Sequence, residues 1–245
     1  MTKLAIIGGT GTDLLPVELA DGPQPETPWG QASAEFTVWP ADAADDSVEV
    51  LFLPRHGVAG TIAPHVVNYR ANIELLAAAG VDFVVALNAV GVIDPELEPG
   101  TLALPDQLID YTWGRAHTYY DDPKRGLEFI EFTEPYSVNL RDRLIKAAAV
   151  ADLSVAPVAT YGVTQGPRLE TAAEIDRLER DGCAIVGMTA MPEAALARER
   201  GLEYAAVALL VNRAAGRGTP AEAAAAGEGL HAEMAHYLDS CTRQV

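Results

Sequence analysis

Short apolar runs alternate with polar or glycine-containing turns and with segments of helical spacing along most of the chain. Unbroken apolar strands between helices are typical of an α/β domain whose mainly parallel sheet is buried on both faces. The predicted strands cover residues 4–7, 48–53, 83–87, 158–163, 184–187 and 204–211, and the predicted helices cover 65–79, 138–151 and 171–182. Residues 20–47 and 105–135 read as irregular.

Capping patterns mark several helix ends. Thr171 and Glu174 have the spacing of a capping box, and Gly80 is placed to end a helix. Pro192 is expected at the first position of another helix, and a second capping box over 219–222 begins a C-terminal helix. Neither a linker nor an internal repeat divides the pattern, so we expect a single domain over residues 1–245.

Composition narrows the range of partners. The 245 residues carry 17 basic and 35 acidic side chains, a formal net charge of −18, which repels nucleic acid and anionic lipid. No apolar run approaches the ~18 residues of a membrane span, and the first residues do not form a signal peptide. The 2 cysteines have no disulfide or metal spacing. We therefore expect a cytoplasmic protein with no metal site and no nucleic-acid or membrane partner.

The carboxyl ends of the predicted strands carry small, hydroxylic, basic or amide residues. Ligands of such sheets bind at these ends. The candidates are Gly8-Gly9-Thr10-Gly11, Arg55-His56, Asn88-Ala89, Gln165 to Glu170, Met188-Thr189 and Asn212. This set suits a small polar anion beside a polar heterocycle, and it holds no obvious nucleophile.

Each candidate also has an interpretation that involves no ligand. The glycine turn binds an anion or simply turns the chain, and a dinucleotide site is disfavoured because the third glycine of G-x-G-x-x-G is missing. Arg55 and His56 are either anion donors or an exposed arginine with a capping histidine. Thr189 is an anion ligand or an N-cap, and Asn212 is a ligand or a turn residue.

Five motifs, taken together, resemble one family. They are Gly8-Gly9-Thr10-Gly11, Arg55-His56-Gly57, Val67-Asn68-Tyr69-Arg70-Ala71-Asn72, Gln165-Gly166-Pro167-Arg168 and Gly187-Met188-Thr189-x-Met191-Pro192-Glu193. In this order they resemble the methylthioadenosine phosphorylases and their purine nucleoside phosphorylase relatives. The resemblance implies a three-layer α/β fold around a central mixed, mostly parallel sheet flanked by helices. It also implies a homotrimer with active sites near subunit boundaries, and a purine-salvage glycosyltransferase without a cofactor.

The resemblance also implies a role for each matching position. Orthophosphate, the co-substrate, displaces a purine from C1′ of a ribosyl or 5-methylthioribosyl group. The phosphate set by position is Thr10, Arg55, His56, Asn88, Ala89 and Thr189. Met188 would pack on the ribose, Leu169 stands where the family often has an aromatic residue against the base, and Glu170 and Asn212 would read the purine and stabilise it as it leaves.

The residues that read the base favour a 6-oxopurine. The 6-aminopurine members have aspartates at the strand end that here reads Asn212-Arg213-Ala214. Glu170 can accept from N1–H, and the amide of Asn212 can donate to O6 or N7. The alternative for Glu170 is a carboxylate that favours the start of the next helix.

The part of the site that receives the 5′ group of the substrate is predicted to be apolar. Nucleoside-type relatives have a histidine near the start of the C-terminal helix, whereas Pro220 and Ala223 stand there in this chain. We therefore expect S-methyl-5′-thioinosine as substrate, with inosine and guanosine weaker. Departures from the family over 57–60 and 213–218 would enlarge or open the pocket, and the first of them leaves a nucleoside-binding homologue with impaired catalysis as an alternative. Two further alternatives are a methylthioadenosine phosphorylase and an enzyme that binds a nucleotide sugar or NAD(P) through the glycine turn.

Overall fold

The computed structural model describes residues 1–9, 17–19, 22–39 and 48–218. Within these residues the strands are β1 (Thr2–Gly8), β2 (Glu26–Thr27), β3 (Gly30–Gln31), β4 (Thr37–Val38), β5 (Val48–Pro54), β6 (Phe83–Val92), β7 (Leu102–Ala103), β8 (Gln107–Asp110), β9 (Val155–Ala156), β10 (Thr160–Val163), β11 (Ile185–Gly187) and β12 (Glu203–Arg213). The α-helices are α1 (Tyr69–Ala78), α2 (Val138–Val150), α3 (Ala172–Arg180) and α4 (Ala190–Glu199). The predicted C-terminal helix and its capping box lie outside the described residues.

Ten of the described strands form one sheet, in which β6 is central. One edge of β6 pairs in parallel with β12 along its whole length, through a β-bulge between Leu210 and Asn212. The other edge pairs in parallel with β1 and then, near its carboxyl end, antiparallel with β11. Strands β5, β10 and β8 extend the sheet by parallel pairing. The predicted mixed, mostly parallel sheet is confirmed.

Alternate residues of each central strand enter opposite cores, which produces three layers. In β1, Ala5 and Ile7 pack with α1 and α4, whereas Leu4 and Ile6 pack with α2 on the other face. Helix α3 packs through Ile175 in a smaller cluster. Burial on both faces explains why these strands are apolar without interruption. None of the helices in the described part is both long and apolar enough to span a bilayer.

The boundary predictions were partly wrong. The helix predicted from 65 begins at Tyr69, because the side chain of Asn68 caps it by accepting from the Ala71 N–H, and residues 64–66 form a 3₁₀ turn instead. Its predicted end is confirmed, since Gly80 has a φ of 74°. The capping box at Thr171 is confirmed with both hydrogen bonds.

Two elements of the sheet were not foreseen. The strand predicted to end before Asn88 continues to Val92, because β12 pairs with it over that length. Residues 107–110, which belong to the aromatic-rich stretch predicted to be irregular, form strand β8 at the sheet edge against β10. An edge strand is exposed on one side, so it lacks the apolar pattern of a buried strand.

Candidate active site

A cavity of about 320 Å³ lies where the ends of β1, β5, β11 and β12 meet. It brings together most of the predicted site residues: Arg55, His56, Ala89, Leu169, Glu170, Met188, Thr189, Asn212, Arg213 and Ala214. Asn88 lies behind this surface, in contact with Thr189. The predicted Thr10, Pro220 and Ala223 lie outside the described residues.

A larger cavity of about 440 Å³ adjoins the first at Glu170. Its two arginines, Arg168 and Arg177, are ion-paired with Glu174 and Asp181. Their positive charge is already compensated, so this cavity is poorly suited to an anion. The chemistry expected from the sequence lies in the smaller cavity.

Arg55 is held rigidly at the cavity. Its side chain is 0% exposed, and Nε and Nη2 donate to the two oxygens of Glu193 at 2.7 and 2.9 Å, while Nη1 donates to Leu87 O at 3.0 Å. In the described part of the chain these contacts use three of its five N–H groups, so two further N–H groups can donate. A Cβ at Gly9 would lie 2.9 Å from Nη1 and 2.8 Å from Leu87 O, so only glycine fits beside this arginine.

Glu193 is the counter-ion of Arg55 and was not singled out from the sequence. It is fully buried, and the Tyr204 hydroxyl donates to it at 2.9 Å. Burial lowers the pKa of Arg55, but the Glu193 carboxylate outweighs that effect and raises the pKa above its ordinary value. The guanidinium is therefore permanently charged, and the buried Glu193 carboxylate balances much of that charge.

The geometry of His56 changes its expected role. Its Nδ1 lies 2.7 Å from Ile62 O, and a carbonyl oxygen can only accept, so Nδ1 carries the hydrogen. Burial and the neighbouring Arg55 lower the pKa of His56, which favours the neutral ring. Neutral His56 leaves Nε2 as an acceptor. It therefore suits a protonated oxygen of phosphate rather than an ionised one.

The lowered pKa of His56 predicts how stability depends on pH. The unfolded histidine takes up a proton near its ordinary pKa of 6.5, before the folded one does. Stability should therefore fall as pH decreases through about 6.5 and level off below the pKa of the folded state. Urea unfolding at several pH values should show a shallower decline for His56→Asn than for the wild type. Parallel curves for the two proteins would contradict this prediction.

Thr189 is presented to the cavity by Asn88. The amide Nδ2 of Asn88 donates to Thr189 Oγ1 at 2.7 Å, and the Thr189 side chain makes no capping hydrogen bond to α4. The two residues meet because β11 runs antiparallel to the carboxyl end of β6, so the chain after β11 continues back towards Asn88. Since the hydroxyl oxygen accepts from Asn88, the hydroxyl can donate its own hydrogen in turn. Thr189 occupies the N-cap position of α4, but its side chain does not cap the helix.

Glu170 and Asn212 each keep hydrogen-bonding capacity for a ligand. Thr164 Oγ1 donates to Glu170 Oε1 at 2.5 Å, and the second carboxylate oxygen can accept another hydrogen. Asn212 Nδ2 donates to Arg213 O at 2.6 Å, and an amide nitrogen has a second hydrogen to donate. The carboxylate that caps α3 is Glu174, not Glu170. Glu170 directly precedes the Thr171 N-cap, where a carboxylate favours the start of a helix, although the capping hydrogen bonds themselves are made by Thr171 and Glu174.

The remaining lining residues form the walls. Leu169 is 76% exposed at the mouth of the cavity, and Met188 packs against Gly166, whose φ is 61°. The Arg213 guanidinium is turned away, donating to Leu97 O at 2.7 Å and to Glu98. Lining residues that sequence reasoning missed are Pro64, Val90, Gly91, Val186, Gly187, Val211 and Ala215. They are apolar or glycine, so nothing in their chemistry distinguishes them from core residues.

The described residues contain no group of three or more His, Cys, Asp or Glu side chains placed to hold a metal ion. The chemistry of the cavity, as far as it is described, comes from hydrogen-bond donors and acceptors. Donors gather around Arg55 and Thr189, and a carboxylate with an amide gathers around Glu170 and Asn212. Such an arrangement can hold an anion against a polar heterocycle.

The chain is similar to known proteins over most of its length. Residues 3–241 match the profile of the Phosphorylase superfamily. The chain is 50% identical over 220 residues to a probable S-methyl-5′-thioinosine phosphorylase of Pseudomonas syringae pv. tomato, covering 89% of this chain and 88% of that protein. It is 42% identical over 221 residues to a 6-oxopurine nucleoside phosphorylase of Pyrococcus furiosus, covering 88% and 81%.

Among solved structures, the fold matches the adenosine/methylthioadenosine phosphorylase of Schistosoma mansoni. A mutant of that enzyme in complex with methylthioadenosine aligns with a TM-score of 0.88 at 28% identity, covering 99% of this chain and 91% of the other. The ligand-free form aligns with a TM-score of 0.87 at 28% identity, with coverage of 99% and 91%. The predicted three-layer fold is confirmed.

Proposed function

Because this chain belongs to the phosphorylase superfamily, we propose that it is a purine nucleoside phosphorylase acting on S-methyl-5′-thioinosine. Orthophosphate attacks C1′ and the glycosidic bond breaks, which yields hypoxanthine and 5-methylthioribose 1-phosphate. The names of the relatives support purine nucleoside phosphorolysis, and several of them carry a 6-oxopurine activity in their names. Inosine and guanosine are proposed as weaker substrates.

One observation carries the proposal: a single cavity is lined by Arg55 and His56 after β5, Glu170 after β10, Thr189 after β11 and Asn212 on β12. Glycosidic cleavage of this kind passes through an oxocarbenium-like transition state while negative charge builds on the departing purine. It requires a positioned phosphate and a donor to the base, but no covalent nucleophile. In the proposed reaction orthophosphate is a co-substrate, and no cofactor or metal takes part.

On the phosphate side of the cavity, different residues bind the ionised and the protonated oxygens of phosphate. Arg55 and the Thr189 hydroxyl donate to ionised oxygens, and the Nε2 of neutral His56 accepts from a protonated one. The fully buried Glu193 offsets the Arg55 charge. The anion is thus held mainly by oriented hydrogen bonds, which remain effective in a protein whose net charge is −18.

At the base side, Asn212 and Glu170 match a 6-oxopurine. The free N–H of Asn212 can donate to N7 or O6 as charge accumulates on the leaving base, and Glu170 can accept from N1–H. A 6-aminopurine would leave one of these groups without a partner in a closed site, at a cost of ~1–3 kcal/mol. This matching is the basis for proposing hypoxanthine rather than adenine as the product.

The proposed preference for a 5′-methylthio group is inferred from the sequence. The segment that begins at 219 offers Pro220 and Ala223 where nucleoside-type relatives have a histidine, so a methylthio group should be preferred to a hydroxyl. We further propose that the chain acts in purine salvage in the cytoplasm, as a homotrimer. The exposure of the large apolar side chains Trp113, Leu127 and Phe129 supports an interface between copies.

A coupled assay of phosphate-dependent base release tests the proposed function. Methylthioinosine should show the highest kcat/KM, inosine should follow, and methylthioadenosine should be weakest. Xanthine oxidase detects hypoxanthine, chromatography detects the adenine released from methylthioadenosine, and omission of phosphate is the control. Faster cleavage of methylthioadenosine would identify a methylthioadenosine phosphorylase, whereas nucleoside binding without base release would identify the impaired homologue.

A further inference from the structure

Arg115 joins two of the segments that carry ligand-facing residues of the cavity. It lies between β8 and α2 and is 8% exposed. Towards the segment after β10, Nη2 donates to Thr164 O at 3.3 Å and to Gln165 O at 2.8 Å. Towards the segment after β11, Nη1 donates to Met188 O at 2.9 Å and to Met191 O at 2.5 Å.

The charge of Arg115 is balanced in an unusual way. Among the described residues no carboxylate forms an ion pair with it. Its partners are backbone carbonyls, the Gln165 side-chain oxygen at 3.2 Å, the Tyr69 hydroxyl at 3.5 Å and the Tyr69 ring, whose centroid is 5.6 Å away. A buried cation is costly without compensation, so these oxygens must stay in place around it. The guanidinium therefore holds both segments at a set separation.

We propose that Arg115 is a positioning residue that couples the purine side of the cavity to its phosphate side. This inference rests on the proposed function. The segment after β10 continues to Glu170, and the segment after β11 contains Met188 and Thr189. By clamping both, Arg115 sets the distance between the group that reads the base and the hydroxyl that meets the phosphate. Misplacement by about 1 Å can cost 10²-fold in rate.

A pair of variants tests the clamp. Arg115→Lys keeps the charge but lacks the planar fork that reaches both segments, and Arg115→Ala removes the clamp. Both are expected to lose about 100-fold in kcat. Added ethylguanidinium should raise the kcat of Arg115→Ala about tenfold. Ethylammonium should not, because it lacks the planar fork of the guanidinium.

A matched control is available in Arg141. It also donates to two backbone carbonyls, Leu104 O at 3.1 Å and Pro157 O, but it lies on α2 away from the cavity. Arg141→Ala should lower thermal stability while leaving kcat within about threefold of the wild type. An Arg115→Lys enzyme with wild-type kinetics would overturn the proposal. So would an Arg115→Ala enzyme whose activity falls only in step with its stability and does not respond to ethylguanidinium.

Binding measurements separate this inference from the proposed function. In calorimetry, phosphate should tighten hypoxanthine binding to the wild type, and this enhancement should be lost in Arg115→Lys. A wild-type protein with neither base release nor hypoxanthine binding would refute the function itself. Wild-type enhancement that survives in Arg115→Lys would refute only the role of Arg115.

Discussion

An Arg55→Met variant is expected to lose phosphate-dependent activity and a large part of its folding stability at once. Removing a donor aimed at the reacting anion should lower kcat/KM by about 10²- to 10³-fold. The substitution also leaves Glu193 fully buried without its partner, which should cost ~3–5 kcal/mol of unfolding free energy. Initial rates at varied phosphate and urea unfolding measure the two effects.

A second substitution separates these effects. In the double variant Arg55→Met/Glu193→Gln the buried charge is gone, so most of the lost stability should return. Activity should not return, because nothing replaces the guanidinium at the cavity. If the double variant recovered turnover together with stability, Arg55 would be a structural residue and not a phosphate ligand.

An Asn212→Asp variant is expected to shift the base preference toward 6-aminopurines. An aspartate accepts from an exocyclic amino group but cannot donate to O6 unless it is protonated. The mismatch with a 6-oxopurine should cost ~1–3 kcal/mol, or about 10- to 100-fold in the ratio of kcat/KM for methylthioinosine to that for methylthioadenosine. Competition between the two nucleosides in one mixture measures this ratio directly.

Asn139→Asp is a matched control, because it makes the same change on α2, where Asn139 contacts Glu203 and not the cavity. It should leave the ratio unchanged. An Asn212→Asp enzyme that retains the wild-type ratio would show that the base is read elsewhere.

Most of the cavity could be predicted because ligand-facing residues follow strands. Arg55, Thr189 and Asn212 stand at or near strand ends, and in a mostly parallel sheet these ends converge. The role of His56 was less accessible, because its protonation depends on Ile62 O, a backbone atom six residues away. Side-chain type alone does not reveal which ring nitrogen carries the hydrogen.

The supporting residues were beyond the reach of sequence patterns. Glu193 lies inside a recognised motif, but its pairing with Arg55 spans 138 residues. Arg115 donates mostly to backbone carbonyls, which every residue possesses. The residue types of its partners therefore do not indicate the contact in the sequence. The extension of β6 past Asn88 likewise depends on pairing with the distant β12. Secondary-structure propensity depends on neighbouring residues in the chain and does not predict contacts between distant segments.

The position of β12 also bears on how the protein is made. During synthesis β1 and β5 emerge before β6, but the other edge of β6 has no partner until residues 203–213 leave the ribosome. An apolar strand with an open edge is a site for mispairing and aggregation. Nascent chains truncated before β12 should therefore need chaperone protection.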